Sequence, residues 1–462
     1  MAGFNEIVVT EVTKENFEEL WPCMVKDIKA ASFIAVDAEM SGLGSKTMNP
    51  NIDERYAELC AAAATRSIIS LGLSCFRTDS VEISDKLEYS VAVYNIVLLC
   101  SEAYTIDPNA VKFLTQHGFD FNRQFSVGLP YYKGNDKPNT DCKNHTIRNL
   151  FAELLRQRKP LVLHNGLADL IFMYQSFYAH CPLKLAAFMA DLSEMFPGGI
   201  YDTKYIAEFS EHASASFLLF VFKMACLRNA TLLESEEVSV NIKFNSKNKW
   251  SVAIPAATPT TKVYSIAAAT KPVKICEKYS AYGWCIKGDS CPRSHDIDSI
   301  VLFHLQRKPR GRKRKKPKCD DLKVDHAEED NKSDLVPSFQ TNDVSCESNE
   351  AKTFKETLPS QHRSIRKGHR SGLDAFMTGY AFALFVVRHS KIGDIFSIPQ
   401  GDEANEKEFT QVIPFLKSDL RISVINKLYL SGKSIPLQVC KSRFTKSSKN
   451  HTEKLIRVYL GS

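Results

Sequence analysis

Residues 374–388, DAFMTGYAFALFVVR, are apolar enough to constrain how the whole chain folds. At helical spacing Phe376, Met377, Tyr380, Ala383, Leu384 and Val387 share one stripe, which has to be buried. The stretch before it, from about residue 305 to 362, is polar and charged, with too few apolar side chains to make a core. Left alone behind it, the helix would have nothing to pack against. It is therefore predicted to return to a domain built by the N-terminal part of the chain, making residues 246–362 an insertion into that domain.

The N-terminal part reads as alternating strands and helices. FIAV (33–36), IISLGLSCF (68–76) and SVAVYNIVLL (90–99) have the β-branched and apolar content of strands. Helices are predicted over 53–64, 108–117, 146–158, 167–178 and 213–228, with PLVLH (160–164) as a short buried strand. NKLYLSGKSIPLQV, in the tail, looks like two strands around a Ser-Gly-Lys turn. The pattern indicates an α/β domain with a mixed central sheet.

At 462 residues, 44% of them hydrophobic, the chain has room for two or three domains and is not disordered as a whole. No apolar run approaches the roughly 18 residues of a membrane span, and the acidic, periodic N-terminus is no signal peptide. Thirteen cysteines, an odd number and mostly scattered singly, suggest a reduced intracellular protein.

The net charge of +7 is a local matter. Arg307, Lys308, Arg310, Arg312, Lys313, Arg314, Lys315, Lys316 and Lys318 form one basic run, and without it the chain carries 51 basic against 53 acidic residues. Such a run must stay solvated and reads as a nuclear localisation signal for an import receptor or as a nucleic-acid-binding arm; the bland alternative is a solubilising tail.

Asp37 and Glu39 close the first of these strands two residues apart, so period-two alternation puts both carboxylates on one face. They repel each other unless a hard cation such as Mg²⁺ lies between them. Asp-x-Glu alone recurs by chance, but the end of an apolar strand is where open α/β sheets place their sites. Asp169, in the first turn of the helix after PLVLHNG, serves equally well as a ligand or as a partner of the helix dipole. His369 lies in the approach to the returning helix, where a lone histidine is more often an exposed or satisfied side chain, and Asp374, at its start, is by itself more often a cap than a ligand. Taken together, four carboxylates can hold two cations about 3.5–4 Å apart for phosphodiester cleavage, and a histidine can accept the proton of the attacking water. Asp202 is read as a structural hydrogen-bond acceptor, and His164 and Asn165 as turn and packing residues.

VDAEMSGL, HNGLADLIFMY and HRSGLDAFMTGY resemble, in order, the three motifs of the DEDDh 3′–5′ exonucleases, which have an RNase H-like fold. FLTQHGFDFN and YDTKY are similar to the poly(A)-specific ribonuclease and CAF1-like branch. The resemblance implies Asp37, Glu39, Asp169 and Asp374 as ligands of two Mg²⁺ and His369 as general base. It also implies RNA with an adenylated 3′ end as substrate.

Cys276, Cys285, Cys291 and His295 follow the spacing C-x8-C-x5-C-x3-H, which matches the CCCH zinc fingers. Three thiolates and an imidazole complete a closed tetrahedral Zn²⁺ shell, and so polar a segment depends on the metal to fold. Binding of single-stranded RNA follows from that match. Tyr279, Tyr282 and Trp284 are candidates for base stacking, or for packing around the metal, and Lys278, Lys287 and Arg293 for phosphate contacts.

The expected organisation is an exonuclease domain in two parts, 1–245 and 363–462, interrupted by the finger at 272–299 and a linker at 305–362. The expected function is a nuclear, Mg²⁺-dependent deadenylase that acts on precursors such as small nuclear RNAs and releases 5′-AMP. The nucleolus, nuclear speckles or Cajal bodies are its expected sites. The rival expectations are an idle RNA-binding adaptor and a DNA exonuclease.

Overall fold

The computed structural model describes residues 4–44, 49–79, 86–137, 145–235, 237–245, 247–256, 274–306, 370–389 and 418–460. His369, the basic run 307–318 and the predicted linker from residue 307 onward lie outside them, while its first two residues, Leu305 and Gln306, end the helix Ile297–Gln306 instead. The described residues up to Gln306 and from Arg370 onward belong to one unit. No helix among them is long and apolar enough to cross a membrane.

In chain order the strands are β1 (Glu6–Val12), β2 (Phe33–Met40), β3 (Ile68–Thr78), β4 (Lys86–Cys100), β5 (Leu129–Tyr131), β6 (Leu161–Leu163), β7 (Ile200–Asp202), β8 (Ser239–Phe244), β9 (Ser251–Pro255), β10 (Lys427–Leu428) and β11 (Leu437–Gln438). They form one sheet in the order β11-β10-β7-β6-β2-β3-β4-β1-β9, with β5 and β8 also paired to β4. The sheet is mixed: β2 is antiparallel to β3 and parallel to β6, and β4 is antiparallel to β3 and parallel to β1. Because β9 pairs with β1, the sheet continues past residue 245, where the sequence pattern ended the first part of the domain. The strand escapes notice because four of its five residues, SVAIP, carry no large side chain, and three of them are exposed or nearly so on an edge.

β2 shows how the sheet sorts its side chains. Ile34, Val36 and Ala38 enter a core with Phe17, Leu20, Met24, Leu150 and Leu170, whose helices cover one face. Phe33 and Ala35 enter a second core with Phe376, Tyr380 and Phe382 on the other face. The helix Ser371–His389 thus lies on the central strands, partnered by the helix Leu218–Glu234. It carries more than the single apolar stripe of the sequence pattern: every residue from Ser371 to Val387 except Asp374 is buried. A helix apolar all round needs neighbours on all sides, and the sheet and the 218–234 helix help supply them.

Two glycines allow this close approach. A Cβ on Gly72 of β3 would stand 1.9 Å from the Ser371 carbonyl oxygen, and one on Gly379 would stand 2.1 Å from the Phe76 ring. The predicted helix 167–178 is α-helical to Met173 and then widens into a π-helical turn over Tyr174–Tyr178.

Candidate active site

Asp37 and Glu39 lie on the same face of β2 as Phe33 and Ala35, just where the second core stops covering it. Asp374 starts the helix over that face and is its one opening in the buried run. Ligand oxygens of Asp37, Glu39 and Asp374 lie within 4.8 Å of one another. Three carboxylates so close repel unless a cation offsets their charge, and an all-oxygen donor set of this kind suits a hard divalent ion.

Asp169 stands beside this cluster and not inside it. β6 pairs with β2 only at Ile34 and Ala35, so the N–H of Ala38 is left free of the ladder and donates to Asp169 Oδ1 at 3.1 Å. Burial raises the Asp169 carboxyl to about 7, and the Glu39 and Asp202 carboxylates add to the rise against the opposing pull of backbone N–H groups. Its helix, Leu167–Met173, is set by a turn in which Asn165 has φ 62°, a conformation asparagine tolerates better than most residues.

That turn is anchored by Asp202, which is fully buried and accepts from the backbone N–H groups of Asn165 (2.8 Å), Gly166 (3.3 Å), Lys204 (3.0 Å), Tyr205 (3.4 Å) and Tyr429 (2.9 Å). Asp202 therefore acts on the site through Asp169's helix. His164 Nδ1 lies 2.9 Å from Thr203 Oγ1, and burial, with Lys204 adding to it, lowers its pKa to about 3. A neutral, enclosed imidazole of this kind is a packing residue. Gly72, opposite Asp37 in the β2–β3 register, was missed from sequence; its signal is a glycine inside an apolar strand.

The second cluster is local. Cys276, Cys285, Cys291 and His295 offer ligand atoms within 4.8 Å of one another. The backbone N–H of Tyr279 lowers the Cys276 thiol below its usual range, favouring the thiolate that binds metal. Tyr279 stacks on His295 at 4.4 Å between centroids and meets Phe217 edge-on, whereas Tyr282 and Trp284 are 68% and 61% exposed. Lys278, Lys287 and Arg293 are exposed, Arg293 in an ion pair with Glu277. The helix Ile297–Gln306 after the cluster packs Ile300 and Val301 on Phe220 and Leu227, and Asp298 meets the buried Lys223 at 3.1 Å.

A mixed α/β sheet with convergent carboxylates at a strand end defines a candidate divalent-metal centre, and comparison with known proteins gives it a family. The family described as CAF1 family ribonuclease matches residues 12–146 and 139–382, and the chain belongs to that family. It is 28% identical over 136 residues to the poly(A)-specific ribonuclease PARN of Xenopus laevis, covering 26% of this chain and 21% of that one. It is 29% identical over 139 residues to the pre-piRNA 3′-exonuclease trimmer of Bombyx mori, covering 28% and 25% respectively. These matches span about a quarter or less of the relatives' own length. Among solved structures, S. pombe Pop2p in its Mg²⁺- and Mn²⁺-bound form is similar at 16% identity and a TM-score of 0.37, covering 47% of this chain and 81% of that chain.

Proposed function

We propose that this chain is a 3′–5′ exoribonuclease that shortens oligo(A) or poly(A) tails and releases 5′-AMP. The observation that carries the proposal is the convergence of Asp37, Glu39 and Asp374 within 4.8 Å at the end of β2, with Asp169 held alongside by Ala38. The donor set suits Mg²⁺, and Asp37, Glu39, Asp169 and Asp374 would hold two such ions. When bound, the pair supplies an activated water and charge relief for the leaving oxygen. His369 would accept the proton of that water; its neighbour Arg370 is fixed at the start of the helix that bears Asp374.

Cys276, Cys285, Cys291 and His295 would hold one structural Zn²⁺, a soft donor set in a closed shell. Tyr282 and Trp284 would then present stacking surfaces to the RNA, with Lys278 and Lys287 meeting phosphates. Such a finger before the last motif, followed by the basic run, resembles the nuclear deadenylase named target of early growth response protein 1. On that likeness we assign the protein to the nucleus, including Cajal bodies, with short-tailed small nuclear RNA precursors as substrates. The names of the relatives, poly(A)-specific ribonuclease among them, support the adenosine preference.

The test is trimming of 3′-labelled A, U and C homopolymers and matched DNA. Wild type is expected to shorten oligo(A) RNA in Mg²⁺ and to stop in EDTA. Asp37→Ala/Glu39→Ala is expected to fall to the assay floor while still binding RNA. Continued trimming by the double variant would remove the site assignment; wild-type RNA binding without 5′-AMP release would favour the adaptor, and equal decay of DNA the DNA exonuclease.

A further inference from the structure

The helix Ser371–His389 is buried among apolar residues along most of its length, and apart from close fits such as Gly379 on Phe76 such contacts are non-directional. A slip of one turn would take Gly379 off the Phe76 ring and move Asp374 by about 5.4 Å, out of reach of Asp37 and Glu39. Directional polar contacts can hold that register where the chain re-enters the domain. Glu11 on β1 and Asn95 on β4 are placed to do so.

Both are buried, at 5% and 6% exposure. Glu11 accepts from Arg370 at 3.0 Å, from Arg123 at 2.8 Å and from Asn95 Nδ2 at 3.1 Å. Asn95 Oδ1 in turn accepts from Ser371 Oγ at 3.1 Å and from the Gly372 backbone N–H at 3.2 Å. Ser371 Oγ also lies 2.6 Å from Ser70 Oγ, on the strand position opposite Glu39. Three consecutive residues, Arg370 to Gly372, are thus gripped between the predicted general base and the last carboxylate. A buried acid facing two arginines gains little net stability from them, since desolvation offsets the attraction, but a displaced helix would leave all three charges poorly paired.

We infer, on the reading of the carboxylates as a cation site, that Glu11 and Asn95 form a latch fixing the register of the 371–389 helix. Glu11 is then a positioning residue that holds Asp374 in metal-binding range from the far side of the sheet's central strands. Arg370 joins the latch to the backbone next to His369.

The experiment measures Mn²⁺ binding to the full chain by titration, beside kcat and KM on oligo(A) and the unfolding midpoint in EDTA. Variants are Glu11→Gln, Asn95→Ala and the milder Arg370→Gln, with Asp374→Asn as control. The latch predicts Mn²⁺ affinity and kcat lowered about tenfold with KM nearly unchanged, measured well below every unfolding midpoint, since removing one buried partner lowers the EDTA midpoint as well. It also predicts that Glu11→Gln/Arg370→Gln is no worse than Glu11→Gln alone, because both break one connection. Wild-type Mn²⁺ affinity in all three variants, with Asp374→Asn impaired, overturns the latch alone. Wild-type Mn²⁺ affinity and kcat at a temperature well below every midpoint, with only the midpoints lowered, also overturns it, by reducing Glu11 to a stabilising residue. Wild-type Mn²⁺ affinity in Asp374→Asn overturns the cation-site reading and the latch together.

Discussion

Cys276, Cys285, Cys291 and His295 converge within one short stretch of chain, whereas Asp37, Glu39 and Asp374 come from opposite ends of it. The first cluster needs only a one-and-a-half-turn helix, a 3₁₀ turn and the bridge between Ile275 and Ser294 to close. The second needs β2 in the middle of a sheet, a glycine in the neighbouring strand and a helix that arrives after the insertion. A local cluster can assemble around its metal, while a distributed one inherits its geometry from the packing of the whole domain. The two should therefore fail differently.

The largest contrast is expected from Gly72→Ala. Its Cβ would collide with the Ser371 carbonyl, so the helix must shift, at a cost of about 2–3 kcal/mol. Trimming is expected to fall at least about a hundredfold, with a lower unfolding midpoint and an intact Cys₃His cluster. Near-normal trimming would show that the closing helix tolerates displacement, and the comparison would lose its distributed half.

A smaller and opposite effect is expected from Cys285→Ser. Bound zinc is expected to drop by one equivalent and residues 274–306 to become sensitive to limited proteolysis. Trimming of a short naked oligo(A) is expected to stay within about threefold of wild type, because the 218–234 helix keeps its contact with the 371–389 helix. Loss of trimming in parallel with zinc would merge the two regions into one unit.

The smallest effect lies at the other end of the closing helix. Burial would raise the Glu211 carboxyl, but His389, Arg388 and Arg228 outweigh it and hold the pKa at about 2. A depressed carboxyl contributes stability above its unfolded value near 4.3, and that contribution disappears as pH falls toward 2. Glu211→Gln is thus expected to destabilise the protein by at most about 3 kcal/mol at pH 7 and hardly at all near pH 2. Trimming rates at pH 7 are expected to change little, since the latch end of the helix is untouched; a pH-independent loss of stability would contradict the charge argument.

The strand ending in Asp37 and Glu39 was legible because alternation along β2 is a local rule that the finished sheet obeys. The Cys₃His spacing was legible because its donors are neighbours in the chain. β9 was not, since an edge strand of small side chains carries little pattern until β1 pairs with it. The role of Glu11 was not legible either: an acid in EIVVTEV looks like any polar strand position until Arg123, Arg370 and Asn95 close around it.

What the sequence determined by itself is the chemistry on offer: which carboxylates share a face, which thiols can share a metal, and that one apolar helix has to come home. The tertiary structure decided where that helix stops. Apolar burial is largely non-directional, whereas the bonds that Glu11 and Asn95 accept from Arg370 and Gly372 are directional; in the latch we infer they join the fit of Gly379 on Phe76 in bringing Asp374 to rest beside Asp37 and Glu39.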